Sequence, residues 1–88
     1  MTDPLPTPPS EPHITTIRNE THGDFAENAF VSQSIKRLYT KNVLSDVHRE
    51  ALDMIALKIS RIVSGKADVK DHWLDIQGYA KLAEDACQ

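Results

Sequence analysis

The residues able to do chemistry fall into a few spaced sets. Glu50 and Asp53 stand three apart, and Asp71 and Asp75 stand four apart, so each pair would share one face of a helix. Paired carboxylates on facing helices are one way helical bundles hold Mg²⁺ or Mn²⁺. Lys58 and Arg61 would place two cations on one helix face, and an arginine can grip a phosphate through two parallel hydrogen bonds. His22 with Asp24, and His72 with Asp75, could serve a transition metal, but no His-Glu-x-x-His or Cys/His spacing accompanies them. His22 reads more simply as a cap or turn residue, and His48 as a packed side chain with one satisfied bond. Cys87 has no neighbour that would activate it. No phosphate-binding glycine loop or nucleophile elbow occurs.

Three helices must position these residues. The first is predicted over 24–41. Asp24 with Glu27 resembles a capping box after the turn at Gly23, and Val31, Ile35, Leu38 and Tyr39 form an apolar stripe. The second runs from Ser45, a good N-cap, to Ser64, with Gly65 as its stop. Its main face is Ala51, Leu52, Ile55, Ile59, Ile62 and Val63, while Met54 and Leu57 lie on the other side and are candidates for contact with a second chain. The third is predicted over 68–87, with Val69, Trp73, Ile76, Ala80 and Ala83 facing the core. Short loops make neighbours antiparallel. The expected fold is therefore an all-α, three-helix antiparallel bundle over 20–88. Residues 1–19 hold all five prolines and read as a disordered proline-rich tail, in which Ile14 and Ile17 could dock on the body.

Reflecting the chain about its two loops gives a register. Asp75 falls level with Lys58, Asp71 and His72 level with Arg61, and Glu27 and Asn28 level with Lys58 and Ile59. Asp24, Glu27, Asn28, Lys58, Arg61, His72 and Tyr79 thus form a polar end, where two helix N-termini also point. The plain reading is interhelix ion pairing, of Lys58 with Glu27 and Asp75 and of Arg61 with Asp71 or Asp24. The functional reading is a site for a phosphorylated ligand. Gly78 lies on the strip of Asp71 and Asp75, where helix packing is its expected role. A metal held by Glu50, Asp53, Asp71 and Asp75 is disfavoured within one chain, because Asp53 stands ~7.5 Å along the axis from the level of Asp75.

The totals narrow the class. With 10 basic and 13 acidic residues the net charge is −3, which argues against a dedicated nucleic-acid binder. No apolar run approaches the ~20 residues of a membrane span, and a cytoplasmic protein is expected. Cys87 is the only cysteine, so no internal disulfide can staple a body this small, and self-association, as a homodimer or larger, is expected to supply the missing burial.

Residues 22–28 (HGDFAEN), 52–62 (LDMIALKISRI) and 71–84 (DHWLDIQGYAKLAE) together resemble a family of short phage and prophage proteins known as a domain of unknown function. More remotely, the carboxylates on facing helices are similar to those of the all-α, MazG-like nucleoside triphosphate pyrophosphohydrolases. Glu50-x-x-Asp53 fits the first carboxylate pair of that family, and Asp71-x-x-x-Asp75 replaces the second with a different spacing. Two functions follow as expectations. One is a non-enzymatic phage accessory protein, without cofactor, that binds a host protein or a phosphorylated small molecule in a setting such as counter-defence. The other, implied by the remoter resemblance, is a Mg²⁺-dependent pyrophosphohydrolase whose four carboxylates meet the metal with help from a neighbouring subunit.

Overall fold

The computed structural model describes residues 23–88. The proline-rich segment, with Ile14, Ile17, His13 and His22, lies outside them. The described residues form three helices and no strand: α1 (Phe25–Arg37), α2 (Asp46–Ser64) and α3 (Lys70–Asp85).

Local chemistry sets the ends. Asp24 is the N-cap of α1, its carboxylate accepting from the Glu27 N–H at 3.3 Å. Ser45 caps α2 by accepting from the His48 N–H at 3.0 Å, and Gly65 closes that helix. α1 stops at Arg37, short of the predicted end. Leu38, Tyr39 and Asn42 tighten into bonds three residues back, and the Thr40 hydroxyl donates to the Lys36 carbonyl at 2.8 Å, occupying an acceptor that a continuing helix would use. α3 starts at Lys70, two residues later than expected, with Val69 as an N-cap that has no side-chain bond.

The packing is antiparallel and centred on α2. α1 and α3 each pack against α2 and scarcely touch one another. This openness corrects one expectation. The three apolar stripes do not close into a core: among the described residues only Ala51 and Ala56 are fully buried apolar side chains. Leu38 is 82% exposed, Trp73 is 49% exposed, and Leu52 and Val63 are exposed as well. Trp73, expected in the core, instead donates its indole N–H to the Ala67 carbonyl at 2.6 Å and braces the turn into α3. The buried seams are polar, formed by Asn28, Ser32, Lys58, Ser60 and His72. Gly23, the one described residue with positive φ (82°), lies against the backbone of Ser64, so the start of α1 is held beside the end of α2.

Candidate functional site

The polar seam is built from two lateral contacts of α2. Toward α1, Asn28 donates its amide to the Asp24 carbonyl at 2.9 Å, and the Ser60 hydroxyl lies 3.1 Å from Asn28 Oδ1 and 2.6 Å from the Leu57 carbonyl. One hydroxyl proton is shared between those two acceptors. Toward α3, Lys58 Nζ lies 2.8 Å from Asp75 Oδ2. The hydrogen bond from Lys58 holds the Asp75 carboxyl below the usual carboxylate range; desolvation opposes it, and the charges of Lys58, His72 and Arg61 reinforce it. His72, one turn before Asp75, is 2% exposed.

Arg61 follows Lys58 by one turn on the same side of α2. It is half-buried and has no ion pair among the described residues. Asp71 is exposed and Tyr79 half-buried. The predicted level of Lys58 with Asp75 is therefore observed, and Asn28 bonds to Ser60, just beyond the predicted level of Lys58 and Ile59. The pairing of Arg61 with Asp71 or Asp24 is not formed, nor is that of Lys58 with Glu27. Glu27 lines a shallow groove with Phe30, Val31 and Val63 on another side of the bundle. Gly78 corrects a second expectation. A Cβ there would meet nothing within 4 Å, so it serves no helix packing.

The four carboxylates weighed as metal ligands are placed apart. Asp53 accepts from the Tyr39 hydroxyl at 2.8 Å; burial first, then this bond, pushes the Tyr39 phenol up to about 12. Asp75 is held by Lys58, and Glu50 and Asp71 are exposed. No three His, Cys, Asp or Glu residues among those described gather as a metal would require. Within one chain these four carboxylates do not meet as a Mg²⁺ site. Met54 and Leu57, the expected interface positions, are half-buried.

The histidine near the start of α2 is also committed. His48 Nε2 lies 3.0 Å from the Ala83 carbonyl, which can only accept, so this nitrogen carries the proton and Nδ1 accepts from the Ser45 hydroxyl at 2.6 Å. Cys87 Sγ, 3.6 Å from Nε2, thus meets a donor and not a base.

Residues 10–87 match the family model described as Domain of unknown function (DUF6378). The chain belongs to that family. No curated protein and no solved structure matches it. The DUF6378 match spans nearly all of the described bundle, so Arg61, the Lys58–Asp75 bridge and His72 all lie within the family domain. No helix of the described residues is long and apolar enough to cross a membrane.

Sequence reasoning missed three features of this DUF6378 chain: the Ser60–Asn28 bond, the Tyr39–Asp53 bond and the seat of Gly23 on Ser64. Ser60 was the most accessible of these. It lies one turn after Ala56 and two turns after Asp53, which puts a narrow small-and-polar strip beside the apolar face of α2.

Proposed function

We propose that this DUF6378 protein acts by binding, without turnover, and that its ligand is a phosphorylated small molecule, with nucleotides the first class to test. The observation that carries this reading is the unequal state of the two cations on α2. Lys58 is committed to Asp75, whereas Arg61 is half-buried, acts on the Asp75 charge only from a distance and forms no direct ion pair among the described residues. A phosphate would supply a directly bonded anion through paired hydrogen bonds.

Gly78 adds support. A glycine inside a helix costs about 0.5–1 kcal/mol relative to alanine, and nothing in the chain packs against this one. It lies on the same strip of α3 as Asp71 and Asp75, where a missing side chain allows a ligand to approach the backbone. Asp71 and Asp75 would favour a ligand that also carries donors, such as a nucleotide base or ribose, over a bare anion.

The MazG-like pyrophosphohydrolase reading has less support, because Asp53 and Asp75 already hold Tyr39 and Lys58. The phage setting, the counter-defence role and the bacterial cytoplasm as the working compartment come from the resemblance of the residue 22–28, 52–62 and 71–84 segments, and belong to the same proposal.

Calorimetric titration with inorganic phosphate, AMP and ATP is the test. Wild type should bind at least one of them, and Arg61→Glu should bind none. No binding by wild type, or equal binding by both, rejects the reading.

A further inference from the structure

We infer that the open apolar face of the bundle is covered by a second copy of this chain. The face follows from geometry. Asn28 and Tyr39 turn α1 toward α2, and at ~100° per residue Val31 and Leu38 then fall to one side of that contact. The groove shared by Val31 and Val63 fixes that side on α2, where Leu52 and Ile59 join it. On α3 the Lys58–Asp75 bridge marks the opposite side, so Ile76 and Trp73 come round to the same side as Leu52 and Val63. The three stripes therefore form one continuous surface with no lysine or arginine among these residues.

Two arguments choose a second copy as the occupant. First, the cover has to be present whenever the chain is folded. The described residues bury only two alanines, a small core for a body of this size, and a copy of the same chain is present wherever the chain folds. Secondly, the area matches. α2 has 19 residues, or about 28 Å of length, and three helices side by side at ~8–10 Å spacing give a face of about 700 Å². A stable dimer of standard size uses ~800 Å² per partner. This surface lies opposite the Lys58–Arg61 side, so pairing would leave the proposed ligand site open. The inference does not depend on that site, and it puts the interface on a different side of α2 from Met54 and Leu57.

The full chain carries its own probe, because Trp73 is the only tryptophan and sits in the face. Light scattering after size exclusion should give twice the 9.9 kDa chain mass. Trp73 emission should be shielded from acrylamide and become accessible on dilution. Leu38→Glu, at an exposed helix end, should weaken pairing by about tenfold or more. Leu82→Glu, two turns after Asp75 on the opposite side of α3, should leave it unchanged. A monomer at every concentration overturns the inference, as does a dimer whose Trp73 is freely quenched. If Leu38→Glu does not fold, the quenching of wild type decides.

Discussion

Lys58 Nζ stands 2.8 Å from Asp75 Oδ2, and the two ends of that bridge are unequal: the lysine side chain is 11% exposed and the aspartate side chain 45%. Removing the aspartate strands a nearly buried ammonium, whereas removing the lysine leaves a carboxylate that water can reach. Asp75→Ala should therefore destabilise the protein more than Lys58→Met. Urea unfolding of both variants checks this, and the reverse order would show that the lysine is held by other groups.

The two perturbed acids act at opposite ends of the pH scale. The lowered pKa of Asp75 contributes stability above the unfolded value of ~3.9, and that contribution is lost as pH falls through the folded value. Tyr39, raised to about 12, contributes fully below its unfolded value of ~10 and loses the contribution as pH rises through the folded one. An ultraviolet titration of the phenols should show a step near 12 that Tyr39→Phe removes. Asp53→Asn should bring the step only part of the way down, because burial is the larger cause. A Tyr39 that titrates at ~10 in wild type contradicts the bond to Asp53.

The two glycines should respond with opposite signs. At Gly23 a Cβ would lie 2.5 Å from Ser64 C and O, on a backbone of positive φ, so Gly23→Ala should cost about 1–3 kcal/mol. At Gly78 a Cβ meets nothing, so Gly78→Ala should stabilise the free protein by about 0.5–1 kcal/mol. If the ligand approaches that strip, the same variant should bind more weakly while unfolding at higher urea. A loss of stability in Gly78→Ala would refute the open placement of this residue.

Much of the fold was legible in the residues. Asp24 and Ser45 announced their caps, and one short loop was enough to place Lys58 level with Asp75. The apolar stripes were legible too, but not their fate. Periodicity says which side of a helix is apolar, whereas the cover over that side depends on how the helices lie, and here α1 and α3 flank α2 without closing over it. Trp73 was misplaced for that reason. The polar seam was harder. Asn28 was placed at the polar end, yet its partner Ser60 lies 32 positions away and no spacing rule links them. Tyr39 and Asp53 meet across a loop whose shape depends on where α1 stops, the boundary that propensity alone misjudged.

The central claim is binding of a phosphorylated ligand at Arg61 without turnover, and phosphorus NMR of ATP with Mg²⁺ and the full chain tests it most directly. The account predicts that the phosphate resonances shift or broaden with wild type and keep their free positions with Arg61→Glu, and that no pyrophosphate signal grows in over hours. Unmoved resonances with wild type would contradict the site, and accumulating pyrophosphate that is lost in Asp53→Asn would contradict the absence of catalysis.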